Sequence, residues 1–121
     1  MEKYYAESHE WVMALDENTV VVGISDYAQH ALGDIVFLSN AEVGDTVTFG
    51  ERFGDVESVK AVSEILSPVD GKVVEVNKGL EDTPELLNAK PLETWIIKVE
   101  GKIDPSKLMT EEDYLALDKD H

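Results

Sequence analysis

Arg52-Phe53-Gly54-Asp55-Val56-Glu57-Ser58-Val59-Lys60-Ala61-Val62-Ser63-Glu64-Ile65-Leu66 is the stretch whose reading decides the fold. Two strand-forming runs, 52 to 59 and 62 to 66, flank one lysine, and Pro68 closes the second run. The pattern predicts a β-hairpin with Lys60 at its tip. Ser58, Val59, Ala61 and Val62 are small or β-branched, which suits a tight, rigid hairpin. A lysine there is presented whole to a visiting enzyme. By itself a surface lysine is most often a solvated charge. Glu57, three residues earlier, adds a carboxylate that a modifying enzyme could read. Gly71 follows the returning strand, where a close backbone approach would leave no room for a Cβ.

Working outward, short strands alternate with turn residues. Glu10 to Leu15 reads as a strand, Asp16-Glu17-Asn18 as a turn, and Thr19 to Ile24 as the hairpin partner, with Val20, Val22 and Ile24 on one face. Ser25 is placed to cap a short helix that ends before Gly33. Asp34 to Leu38 is a further strand, Val43-Gly44-Asp45 a turn, and Pro68-Val69-Asp70-Gly71 a turn leading into a strand from Lys72 to Val76. Pro84 to Asn88 reads as one helical turn. Trp95, Ile97 and Val99 alternate with Ile96, Lys98 and Glu100 as a half-buried strand. Thr110 caps a C-terminal helix over about 110–118, with Glu111, Glu112 and Asp113 near its positive end and Leu115 and Leu117 as its apolar residues. Gly33-Asp34-Ile35-Val36 and Gly71-Lys72-Val73-Val74 form a faint echo, too short to count as a repeat. Evenly spaced short strands with few helices predict a mainly β fold, a small sandwich or flattened barrel with peripheral helices, in a single domain over 1–121.

Charge narrows the partners. The chain carries 26 acidic residues against 10 Lys+Arg, a formal net charge of −16. Nucleic acid and anionic membranes are disfavoured, since both demand clustered cations to neutralise phosphate. Docking on basic surfaces of larger proteins is favoured, although such a surface also simply maintains solubility. There is no cysteine, which removes disulfides, thiolate metal sites and a cysteine nucleophile together. Any thiol chemistry must therefore come from an attached group. No apolar run has the length of a membrane span. The start, Met1 to Tyr5, lacks the charged and apolar regions of a signal peptide, so a cytoplasmic location is expected.

Motifs for catalysis are missing. His9, His30 and His121 are dispersed without metal-ligand spacing, and no zincin, nucleophile-elbow, phosphate-loop or EF-hand pattern occurs. Acidic residues are so numerous that any proposed carboxylate pair would be uninformative. The chain is not expected to be an enzyme.

Several runs together carry a resemblance. They are Ser8-His9-Glu10-Trp11-Val12, Val22-Gly23-Ile24-Ser25 leading to Ala28-Gln29, Leu32-Gly33-Asp34-Ile35-Val36-Phe37, Glu57-Ser58-Val59-Lys60-Ala61, Ser67-Pro68 with Gly71, Val76-Asn77, Pro84-Glu85-Leu86-Leu87-Asn88 and Trp95. The chain resembles the H proteins of the glycine cleavage system along most of its length. The resemblance implies a lipoyl/biotinyl-type hybrid barrel-sandwich with Lys60 at the hairpin tip carrying lipoic acid in amide linkage. It implies that Glu57 and Gly71 serve recognition during lipoylation, and that Ser8, Glu10 and Glu64 line a cleft for the loaded arm. The implied partners are a PLP-dependent glycine decarboxylase (P protein), a tetrahydrofolate-dependent aminomethyltransferase (T protein), a dihydrolipoyl dehydrogenase (L protein), and a lipoyl ligase or transferase, visited by a monomeric carrier.

The sequence departs from relatives in places. Ala31 stands where some have a cleft histidine, with His30 one position earlier. Asn40-Ala41 replaces a proline-bearing turn, and Glu93-Thr94 stands where glycine is usual. Three other readings remain open on the sequence: a lipoyl donor to E2 subunits of oxo-acid dehydrogenases, a biotin carrier (whose lysine is typically flanked by methionine rather than Val59 and Ala61), and an unmodified acidic interaction module.

Overall fold

Two antiparallel sheets share one core in the computed structural model of the chain, in which residues 2–117 are described. The expected helix end at 118, and His121, lie outside the described residues. The strands are β1 (Lys3–Tyr5), β2 (Glu10–Ala14), β3 (Thr19–Ile24), β4 (Ile35–Ser39), β5 (Thr46–Val47), β6 (Arg52–Ser58), β7 (Val62–Leu66), β8 (Gly71–Val76), β9 (Ile97–Glu100) and β10 (Met109–Thr110). Short helices α1 (Asp26–Leu32), α2 (Gly79–Asp82), α3 (Leu86–Ala89) and α4 (Glu111–Leu115) lie between and after them. The larger sheet runs β10-β1-β2-β3-β9-β8-β5, and the smaller runs β4-β6-β7. This is the expected mainly β sandwich with peripheral helices and a C-terminal helix.

Local chemistry explains most elements. The Asp16 carboxylate accepts from the N–H groups of Asn18 and Thr19, both at 2.8 Å, and closes the β2–β3 turn. Ser25 caps α1 by accepting from Ala28 N at 3.1 Å. Gly33 ends the helix with φ +80° and ψ −157°, a conformation open in practice only to glycine. Thr110 caps α4 through Asp113 N.

The main core draws on both sheets. Val12, Val20, Val22 and Ile24 from β2 and β3 meet Ile35, Leu38, Val56 and Ile65 from the small sheet, with Leu80 and Leu87 plugging one side. The large sheet is buried on its other face too. There Tyr5, Trp11 and Val21 pack with Tyr114 of α4, and the Tyr5 and Tyr114 rings stack with centroids 4.2 Å apart.

Three details differ from the sequence pattern. The apolar anchor of α4 is Tyr114, whereas Leu115 and Leu117 are exposed, because the short helix turns its aromatic face to the sheet. Ile96 is fully buried beside Ile97. The alternation breaks because β9 begins only at Ile97, and Trp95 lies outside it with Lys98 Nζ 4.8 Å from its ring. An additional helical turn, α2, precedes α3 and buries Leu80.

Candidate functional site

The hairpin is built as its residues dictate. β6 and β7 pair from Arg52↔Leu66 at the open end to Glu57↔Val62 beside the tip. Ser58 makes the turn. Its N–H donates to Ala61 O at 2.8 Å, and its Oγ accepts from Lys60 N (3.2 Å) and Ala61 N (3.1 Å). A hydroxyl that takes two consecutive backbone donors holds the turn without water. Lys60 therefore stands on a rigid tip, with Val59, Lys60 and Ala61 exposed.

A platform lies beneath the tip. Val59 N donates to Asp34 O at 3.0 Å, tying the turn to the α1–β4 connection. That connection is fixed by Asn88 of α3. The Asn88 side chain donates to Gly33 O (2.9 Å) and Gln29 Oε1 (3.0 Å) and accepts from Ile35 N (2.8 Å). The lysine side chain lies over Gly33, its Cε 3.1 Å from where a Cβ would stand. Among the described residues Lys60 forms no ion pair, in a chain where carboxylates outnumber cations. The amine is thus exposed, unpaired and carried on a fixed turn, which fits covalent attachment of an acyl group.

The remaining expected site residues are spread along the hairpin. Glu57 is exposed on β6 directly beside the tip, between Phe37 of β4 and Val62 of β7 in one cross-strand row. Glu64 is exposed on β7 opposite Asp55, whose carboxylate accepts from Arg52 Nε at 2.8 Å. That ion pair offsets the repulsion of two facing carboxylates. The guanidinium holds the Asp55 carboxyl below its usual value through their hydrogen bond. Gly71 opens β8 at the open end of the hairpin, away from Lys60. A Cβ there would stand 2.3 Å from Glu100 O and 2.6 Å from Val99 Cγ1. Backbone closeness requires glycine at this position, as expected from the sequence.

Ser8 and Glu10 do come together. Ser8 Oγ donates to Glu10 Oε1, and Leu66 N donates to Oε2 at 3.1 Å. Glu10 is only 3% exposed. Burial pushes its pKa up to about 7, against the lowering effect of both hydrogen bonds. Glu10 thus joins β2 of the large sheet to the last residue of β7, two positions beyond Glu64. His9, between Ser8 and Glu10, is held at φ 77°. Its carbonyl accepts from Ser25 N at 2.9 Å, and its Nδ1 lies 2.7 Å from the Tyr114 hydroxyl, which donates to Ser25 Oγ at 2.8 Å. The C-terminal helix therefore braces the Ser8–Glu10 segment. His30 and Ala31 are both exposed in the last turn of α1.

Sequence reasoning missed Ser58 and Asn88 as builders of the site. Serine two residues before the lysine, near the end of the run that leads into the hairpin tip, was a usable signal for the first. Asn88 had no local signal, because its partners lie more than fifty positions away. A depression of about 430 Å³ lies beyond the far end of β4 between Leu38, Ala41, Val76, Lys78 and Glu81. No described helix is long and apolar enough to cross a membrane, and no cluster of metal-ligating side chains occurs among the described residues.

The chain is similar to known proteins in sequence and in fold. The family model for the glycine cleavage H-protein matches residues 3–121. A probable glycine cleavage system H protein of Thermococcus kodakarensis is 55% identical over 96 residues, covering 79% of this chain and 72% of that one. The glycine cleavage system H protein of Listeria monocytogenes is 53% identical over 113 residues, covering 91% and 90%. The crystal structure of a glycine cleavage system H protein from Mycobacterium marinum is similar with a TM-score of 0.84 at 37% identity, covering 93% and 92%.

Proposed function

The chain belongs to the glycine cleavage H-protein family, and from that premise we propose that Lys60 is the residue to which its lipoyl group is attached. The protein is a carrier and not itself a catalyst; it serves the P, T and L proteins of glycine cleavage. Held in amide linkage on Lys60, a lipoyl group would supply the disulfide–dithiol chemistry for aminomethyl transfer between the P and T proteins and for electron transfer to the L protein.

The observation that carries the assignment is the state of Lys60: exposed, without an ion pair among the described residues, and mounted on the Ser58 turn. Attachment by a lipoyl ligase or transferase consumes an activated acyl group. The neutral Nζ forms one C–N bond as the acyl–oxygen bond of an acyl adenylate breaks. Adenosine monophosphate leaves with the electron pair, and the amine releases a proton. Removing the ammonium leaves the tip less polar, and the rigid turn keeps the arm's origin fixed for each partner.

Other residues have supporting roles in this reading. Glu57 is the carboxylate a ligase reads beside the lysine. Gly71 contributes through close packing of β8 on β9. Exposed Ser8 and Glu64 offer the flank on which the loaded arm rests, and buried Glu10 holds that flank together through Ser8 and Leu66. The carrier works as a monomer in the cytoplasm, one unit over residues 1–121.

Intact mass and peptide mapping, on protein made with lipoate and a lipoyl ligase, test the proposal. One lipoyl amide on Lys60, abolished in Lys60→Arg with the fold retained, is the expected result. An unmodified Lys60, under conditions that modify a control H protein, would overturn it.

A further inference from the structure

Around Lys60 the surface changes character. Val36, Phe37, Val59 and Val62 are 50%, 56%, 67% and 65% exposed. Val36 and Phe37 lie on β4, Val62 on β7, and Val59 in the turn between β6 and β7. Phe37, Glu57 and Val62 form one row over β4, β6 and β7. Val59 follows β6 into the turn. Val36 and Phe37 are exposed in succession because the β4–β6 register shifts between Ile35 and Phe37, and such a bulge re-aims side chains that strict alternation would bury. The row towards the open end is polar, running Ser39, Asp55 and Glu64. An apolar group of this kind on an otherwise acidic surface, rimmed by charge, marks a place that another protein covers.

We propose that this face, with Phe37 as its anchor and Glu57 as its single central charge, is the docking surface for the enzyme that acylates Lys60. The inference rests on Lys60 as the attachment site. Its occupant follows from reach. A lipoylated arm carries its reactive sulfurs well beyond Nζ, so an enzyme working on those sulfurs can stand off from the hairpin. The acylating enzyme must bring its activated acyl carbon to Nζ itself, and that side chain lies low over Gly33. Its surface must therefore close on Val59, Val62 and Phe37. Asp55 is already paired with Arg52, and Glu57 is the carboxylate that stands between Phe37 and Val62 in the cross-strand row. The partner surface is an apolar recess bearing a lysine or arginine to meet it.

Acylation kinetics of the unmodified protein with a lipoyl ligase, read as mass gain at Lys60, test this surface. Phe37→Thr keeps a strand-forming residue and removes the ring, and Val62→Thr provides a second variant. Val43→Thr, at a 60% exposed residue in the turn after β4, is the control. Melting temperatures verify the fold. Phe37→Thr is expected to raise KM for the carrier about tenfold, with kcat little changed. Val43→Thr is expected to leave it unaltered. Phe37→Thr protein driven to full lipoylation should then be reduced by dihydrolipoyl dehydrogenase within about twofold of wild type. Unchanged KM in both folded threonine variants of the face overturns the proposal. Equal losses in acylation and reduction also overturn it, since the face would then be a general docking site. Failure of wild-type Lys60 to be acylated would instead strike the attachment site, before any variant is compared.

Discussion

The carboxylate of Glu10, on the large sheet, accepts a hydrogen bond from the backbone N–H of Leu66, on the small sheet, at 3.1 Å. One buried acid thus ties the base of the lysine hairpin to the core strands, at the cost of desolvating a group that prefers water. Burial raises its pKa from 4.5 to about 7. The folded protein therefore holds a proton on Glu10 up to about pH 7, and the unfolded chain only up to about 4.5. Between those values folding takes up a proton, so this group's contribution to stability falls as pH rises and levels off above about 7. The full swing is about 3 kcal/mol. Denaturant melts from pH 4 to 8 should show this decline in wild type and not in Glu10→Gln, which keeps an oxygen for Leu66. Equal slopes in the two proteins would mean that Glu10 is ionised throughout.

Ser58→Ala removes the acceptor for two backbone donors at the tip. Because the tip is close to solvent, water can replace the hydroxyl, and the loss in stability is expected to be about 1 kcal/mol. The effect on lipoylation should be larger than that on melting, since the turn that presents Lys60 loosens. Hydrogen exchange at Lys60 and Ala61, measured beside the acylation rate, checks both.

Gly33→Ala places a Cβ on a backbone with φ +80° and ψ −157°. A cost of about 1–3 kcal/mol is expected from the backbone alone. The new methyl also meets Lys60 Cε at 3.1 Å, a flexible neighbour that can swing away. Thermal unfolding should show the loss, and nuclear magnetic resonance of the Lys60 side chain should show its displacement.

Gly71→Ala fails for a different reason. The obstacle is the Glu100 carbonyl, 2.3 Å from the added carbon, and backbone cannot step aside without parting β8 from β9. Destabilisation of about 1–3 kcal/mol is expected. Lipoylation per folded molecule should stay near wild type if Gly71 acts only by packing. A specific loss at unchanged melting temperature would give it a direct role in recognition.

Asn88→Ala strips the α1–β4 connection of its side-chain partner. Ile35 N and Gly33 O lose their bonds together, for which about 1–3 kcal/mol is expected. Asn88→Asp should restore the acceptor for Ile35 and not the donor to Gly33, giving an intermediate melting temperature.

The sequence by itself determined what local chemistry controls. Alternating β-branched residues specify the hairpins, Ser25 and Thr110 cap their helices, the Asp16 turn joins β2 to β3, and Lys60 stands at a tip because turn-forming and strand-forming residues surround it. These depend on neighbours a few positions apart, so their energies are written in the order of the residues. Tertiary structure alone decided that Glu10 meets Leu66, that Asn88 fixes the floor beneath Lys60, and that Tyr114 rather than Leu115 anchors the last helix. It also decided that Phe37, Glu57 and Val62 share one row beside the lysine. Such pairings join residues far apart in the chain, and their free energy is realised only when the two sheets close on a common core and exclude water. The pKa of Glu10 is set the same way, since the dielectric around a carboxylate belongs to the packed structure and to no single stretch of sequence.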